Sequence, residues 1–180
     1  MATAEAKLEE RDGKPALRFE RVLRHPPERV WDALTDPDRQ FGWHPTPAAI
    51  ELEVGGRVEY LEGGFAGSGS GEVTAVEPPR LLAYTWVGPD PDHLLWELRP
   101  HDEGCLLTLV HTFSERNSAA NFGAGWHICL DFLPAALEGS TERPPAGQDE
   151  ERWQELNSGY ERSFGIESAQ AVNPSDARRA

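Results

Sequence analysis

Cysteine is scarce: only Cys105 and Cys129 occur in 180 residues, each alone in apolar surroundings and without CxxC or Cys/His ligand spacing. That excludes a disulfide framework and a zinc site, and both residues read as small buried apolar side chains. No apolar run approaches the ~20 residues that cross a bilayer, and the stretch from Met1 to Lys14 is charged where a signal peptide would be apolar. A cytoplasmic protein is the expectation. Positive charge is also short, with 17 Lys+Arg against 31 Asp+Glu and a net charge of −14. Such a field repels a polyphosphate unless a basic face is segregated, and none is visible, so nucleic acid is disfavoured as a partner. The H-E-x-x-H, G-x-S-x-G and G-x-x-x-x-G-K-[ST] patterns are missing. Gly63, Gly64, Gly67, Gly69 and Gly71 do not satisfy G-x-G-x-x-G, and they fall between strands rather than ahead of a helix, so they read as a loop near a cavity mouth. No catalytic, metal or cofactor motif is therefore assigned.

The length suits one core of ~100 to 150 residues with appendages. Residues 1–14 and 166–180 are polar and lack periodicity, which predicts disordered tails. Pro144, Pro145 and Gly147 mark residues 140–148 as a linker between a main domain at 15–139 and an additional docking helix at 149–165. Ala16 to Arg24 alternates as a strand. Pro27, Val30, Trp31 and Leu34 then fall at helical spacing, and Asp36-Pro37 opens a second short helix carrying Phe41 and Trp43. From Ile50 to Phe113, glycine and proline punctuate six β-prone runs, with Gly55-Gly56 read as a two-residue hairpin. Ala119 to Glu138 is the longest helical pattern. Phe122, Trp126, Cys129 or Leu130, Leu133 and Leu137 form its apolar stripe, and Pro134 should bend it. Trp153, Leu156, Tyr160 and Phe164 make a shorter stripe near the C-terminus. The order predicts an α+β fold, a seven-stranded curved antiparallel sheet wrapped around a long C-terminal helix, with two short helices after strand 1. Curvature between such layers leaves room for a pocket.

Particular residues carry a family likeness. Pro27-x-x-Val30-Trp31-x-Ala33-Leu34-Thr35-Asp36-Pro37 is followed by Trp43, by Val54-Gly55-Gly56-Arg57, by Glu77-Pro78-Pro79-Arg80-Leu81 leading to Tyr84-Thr85-Trp86, and by Gly125-Trp126-x-x-x-Leu130-Asp131-x-Leu133. This series resembles the START-like, helix-grip (SRPBCC) superfamily, and within it proteins related to the activator of the heat-shock-protein ATPase (Aha-type). The resemblance spans roughly Leu17 to Phe164 and implies a hydrophobic ligand cavity. It leaves open a homodimer, a chaperone partner and a stress-response setting. Members range from lipid carriers to cyclases and chaperone partners, so fold transfers better than function.

Among the histidines, His25, His44, His93 and His101 stand in turns or at element ends and are expected in solvent. His127 is expected to form a surface pair with Asp131 one helical turn later. His111 differs, since it interrupts the apolar series Cys105, Leu107, Leu109, Phe113, where an unpartnered imidazole is costly. It reads as a core histidine bonded to a neighbour, with a ligand-contacting or acid/base role as the alternative. Tyr60, Tyr84, Trp86 and Trp96 recur at strand periodicity and can face Phe122 and Trp126 on the long helix; with Trp43 and His111 they are the candidate ligand-binding residues. Three functions follow, in this order. The first is a carrier or sensor binding a small hydrophobic or aromatic molecule in a cavity of ~300 to 1,000 Å³ between helix and sheet. The second is a cyclase or dehydratase with His111 or a tyrosine as acid/base. The third is a module regulating a chaperone ATPase.

Overall fold

Alternating burial in the strands decides which side of the sheet is covered. The computed structural model describes residues 6–44, 46–61, 69–86, 90–142 and 150–166. Strands β1 (Lys7–Arg11) and β2 (Lys14–Leu23) precede helices α1 (Pro27–Thr35) and α2 (Pro37–Gln40). Strands β3 (Ala48–Ile50), β4 (Arg57–Tyr60), β5 (Ser70–Glu77), β6 (Leu81–Thr85), β7 (His93–His101) and β8 (Gly104–Thr112) follow, then α3 (Ala119–Leu137) and α4 (Glu150–Phe164). The strands form one antiparallel sheet in the order β1-β2-β8-β7-β6-β5-β4-β3. Register lines up Leu17, His111, Leu94, Tyr84 and Val73 as one buried row across five strands. The adjacent row of Phe19, Leu109, Trp96 and Leu82 is buried on the same face. Side chains two apart share a face, so this surface is the one that α3 must cover. Leu130 and Leu133 of α3 are essentially inaccessible against it.

The sheet has eight strands rather than seven, because the segment expected to be an N-terminal tail folds from Lys7 onward. β1 is an edge strand whose side chains are mostly exposed, so it shows none of the apolar alternation that reveals an inner strand. Its turn was visible: Asp12-Gly13, both at positive φ, is a strong hairpin dipeptide. The Gly55-Gly56 expectation also changes. β3 ends at Ile50 and pairs Ile50 with Val58, so a longer connection replaces the two-residue turn; Gly55 supplies positive φ within it, and Leu52 and Val54 stay exposed. α2 stops at Gln40, and Trp43 lies in the turn after it, where its indole N–H donates to Ala33 O at 2.9 Å. Gln40 joins these pieces: its amide donates to Leu34 O at 2.8 Å and accepts from Ala48 N at 2.7 Å.

α4 docks on α3. Gly123 makes the close approach, since a Cβ there would lie 3.0 Å from the Tyr160 ring. Ile166, assigned to the tail from sequence, is buried, with its N–H bonded to Glu161 O. Most of the linker at 140–148, the glycines at 63, 64 and 67, and the rest of the C-terminal tail lie outside the described residues. Among the described residues no helix is long and apolar enough to cross a membrane.

Candidate functional site

The eight candidate ligand-binding residues converge, because the sheet's buried face and the apolar face of α3 carry most of them. Trp43 meets Trp96 edge-on at 5.8 Å between ring centroids, and Trp96 meets Trp126 at 5.5 Å. Trp86, at the end of β6, lies 6.2 Å from Trp126, 6.5 Å from Phe122 and 6.3 Å from Tyr60. Trp96 donates its indole N–H to the Tyr84 hydroxyl at 3.4 Å. Burial of Tyr84 pushes its hydroxyl up to about 12, and burial of Tyr60 also raises its pKa, so both phenols stay protonated.

His111 is fully buried and bonded at both nitrogens. The Trp126 indole N–H, which can only donate, points at His111 Nδ1 at 3.0 Å, so Nδ1 is the acceptor. The remaining proton is thereby assigned to Nε2, which donates to Asp92 Oδ2 at 2.9 Å. Burial lowers the His111 pKa while the bond to Asp92 opposes that shift, and the neutral tautomer satisfies both partners. Phe122 covers the ring at 4.5 Å. This is the partnered core histidine, and neither nitrogen is left over for proton transfer.

His127 does approach Asp131, with Nε2 3.7 Å from Oδ2, but it is buried rather than on the surface. The reason is α4: Tyr160 places its hydroxyl 2.7 Å from His127 Nδ1, and the same hydroxyl accepts from Ala6 N at 3.3 Å. Periodicity of α3 alone shows a polar face there without showing what lies on it.

His44 is the residue that sequence reasoning placed in solvent and the structure places in the site. Its ring lies 5.2 Å from Trp43 and 5.4 Å from Trp126, and Nδ1 accepts from Thr46 N at 3.1 Å. Burial pushes its pKa down to about 4. A folded pKa below the ordinary 6.5 means that the unfolded chain binds the proton more readily. The resulting stability is complete above pH 6.5, falls as pH drops from 6.5 toward about 4, and levels off below that. The loss from this group should be about 3 kcal/mol. Denaturant titrations at pH 7 and pH 4.5 should show most of that difference, and His44→Gln should shrink it; an unchanged pH dependence in His44→Gln would contradict the assignment.

Two spaces adjoin these rings. The inner one, among Leu34, Trp43, Tyr60, Tyr84, Leu94 and Trp96, has a volume of about 10 Å³, room for a single water. At this point between sheet and helix, the aromatic rings of the described residues leave little open space. The larger opening is a cleft of about 220 Å³ walled by α3, α4 and the loops after α2 and β6. Phe122, Gly125, Trp126 and Cys129 of α3 form one side, and Trp86, His44, Thr46 and Trp153 complete it. Trp86, His44 and Thr46 line both spaces and so separate them; His111 lines neither. Burial raises the Cys129 thiol to about 12, leaving it protonated and a poor nucleophile.

A large antiparallel sheet gripping one long helix over an aromatic interior defines a helix-grip protein of the START-like (SRPBCC) superfamily. The family model described as Activator of Hsp90 ATPase homolog 1-like protein matches residues 24–138, and the chain belongs to that family. The match ends before α4. Among solved structures, CalU16 from Micromonospora echinospora is 24% identical over 90% of this chain and 98% of its own, with a TM-score of 0.74. The protein BPP1335 from Bordetella parapertussis is 28% identical over 93% of this chain and 95% of its own, with a TM-score of 0.61. A conserved protein of unknown function from Enterococcus faecalis, 22% identical over 90% of this chain and 92% of its own, has a TM-score of 0.70. No curated protein sequence matches the chain.

Proposed function

We propose that this protein binds a small, uncharged, ring-containing molecule in the cleft between α3, α4 and Trp86, acting as a carrier or sensor. The observation that carries this reading is the lining among the described residues: aromatic walls from Trp86, Phe122 and Trp126, polar side chains from His44, Thr46 and Asn121, and no charged side chain. Flat apolar walls favour ring stacking, while the lack of a cation among the described lining residues and the net charge of −14 disfavour carboxylates and phosphates. Trp86 stands between the cleft and the inner void, so a rotation of its side chain would extend the site toward Trp43, Tyr60, Tyr84 and Trp96. The cyclase alternative would assign acid/base chemistry to a tyrosine or to His111, whose nitrogens are already engaged by Trp126 and Asp92. The chaperone-regulating alternative rests on the family description.

Titration with the uncharged fluorophore N-phenyl-1-naphthylamine tests the proposal. Saturable enhancement of the probe, with matching quenching of tryptophan emission, is expected. Trp86→Ala should weaken binding about tenfold, the size of one lost ring stack. Non-saturable, concentration-proportional emission from the wild type would overturn the reading.

A further inference from the structure

The C-terminal helix lies outside the matched family region, and its two halves sit in different surroundings. Its C-terminal half is packed: Tyr160 and Phe164 are buried, stacked on each other at 5.2 Å, and pressed against α3 where Gly123 leaves no side chain. Arg116 donates to Phe164 O at 3.0 Å, which ties down that end. Its N-terminal half is held by Arg152 donating to Asp131 Oδ2 at 2.5 Å. The next residue, Trp153, is only partly buried and faces the cleft. Among the described residues its indole ring touches no other ring and its N–H has no hydrogen-bond partner. A large, half-buried aromatic side chain held beside an opening offers a stacking surface to whatever enters it.

The opposite wall explains why the opening is there. Residues 122, 125, 126 and 129 are one face of α3, at i, i+3, i+4 and i+7. Three of them present side chains to the cleft, and the fourth is glycine. A Cβ built on Gly125 meets nothing within 4 Å, in contrast to Gly123 two residues earlier, where it meets the Tyr160 ring. Gly123 lets α4 approach, and Gly125 leaves a gap under Trp153. We propose that α4 is the outer wall of the binding site, that Trp153 is its specificity-determining residue, and that Trp153 and the Gly125 gap together select flat, uncharged ring systems over flexible alkyl chains. An inserted ring would stack on Trp153 on one side and on Phe122 or Trp126 on the other. An alkyl chain gains apolar burial there without the stacking contribution. This inference rests on the proposed binding function and adds which part of the chain decides the ligand.

The test uses the full chain, N-phenyl-1-naphthylamine as probe, and flavone and 1-decanol as competitors. Flavone should displace the probe from the wild type and 1-decanol should not. Trp153→Ala should weaken probe binding about tenfold, while Trp153→Phe, which keeps a flat ring, should stay within about threefold of wild type. Gly125→Leu, which fills the gap from the other wall, should abolish binding without lowering the unfolding midpoint, since leucine is a better helix former than glycine. Near-UV circular dichroism of each variant checks that α4 remains docked. Wild-type binding that Trp86→Ala weakens but that Trp153→Ala and Gly125→Leu leave unchanged would overturn the role of α4 and keep the binding function. Displacement by 1-decanol as effective as by flavone would overturn the selectivity. Failure of the wild type to bind the probe saturably would overturn both readings.

Discussion

Trp126→Ala should cost about 3–5 kcal/mol of folding stability, the upper range for truncating a buried aromatic residue. Trp126 is 4% exposed and meets the rings of His44, Trp86, Trp96 and His111. Its removal opens a void at the centre of the aromatic layer and also leaves His111 Nδ1 without its donor. Since the imidazole is inaccessible, water cannot reach Nδ1 without entering the new void, and the buried acceptor left unsatisfied accounts for about 1–3 kcal/mol of that cost. Trp126→Phe separates the two effects, because it keeps most of the ring packing and deletes the indole N–H; its cost should be about 1–3 kcal/mol. Urea titration of the three proteins measures both. A loss under about 1 kcal/mol for Trp126→Ala, the size of a surface change, would show that α3 does not anchor the core through this residue.

Truncation before Glu150 should be as damaging as any single core substitution. Tyr160, Phe164 and Ile166 are all buried in the intact chain, and each buried side chain of this size contributes about 1.5–3 kcal/mol. Removing α4 also strips the cover from His127 and exposes the flank of α3 around Gly123. The combined loss approaches the whole stability of a small domain, so the shortened chain should melt at least ~10 °C lower or lose its cooperative transition. Ending the chain after Ile166 should leave the melting temperature within about 2 °C, because residues 167–180 carry no apolar periodicity. Equal melting temperatures for the intact chain and the chain lacking α4 would mean that α4 contributes nothing to the fold.

Legibility in the sequence follows the range of the interactions involved. The inner strand β2 announces itself through local alternation, β5 to β8 through β-prone runs set between glycine and proline, and α3 through its apolar stripe. His111 was legible as a partnered core residue because its own strand made an unpaired imidazole costly. Its partners were not: Asp92 lies opposite on a neighbouring strand's approach, and Trp126 arrives from α3, 15 residues later in the chain. β1 escaped notice because an edge strand needs no apolar face, although Asp12-Gly13 carried the turn. His44 looked solvated because a His-Pro turn after a short helix is ordinarily exposed; Trp43 beside it was assigned to the ring cluster, but the neighbour that buries His44 from the other side is Trp126.

The ring residues themselves, their alternation and the helical stripe are properties of the chain read in order, and they determine an antiparallel sheet closed over one long helix. Whether the rings would enclose a cavity or fill it depends on how far apart sheet and helix settle, a distance set by side chains from six separate elements packing at once. Among the described residues, the tryptophan and tyrosine rings leave an inner void of only about 10 Å³, and a cleft of about 220 Å³ opens beside Trp153, where Gly125 contributes no side chain. Periodicity reports which face of an element is apolar; only packing, which sums the volumes from every element at one point in space, decides where space remains.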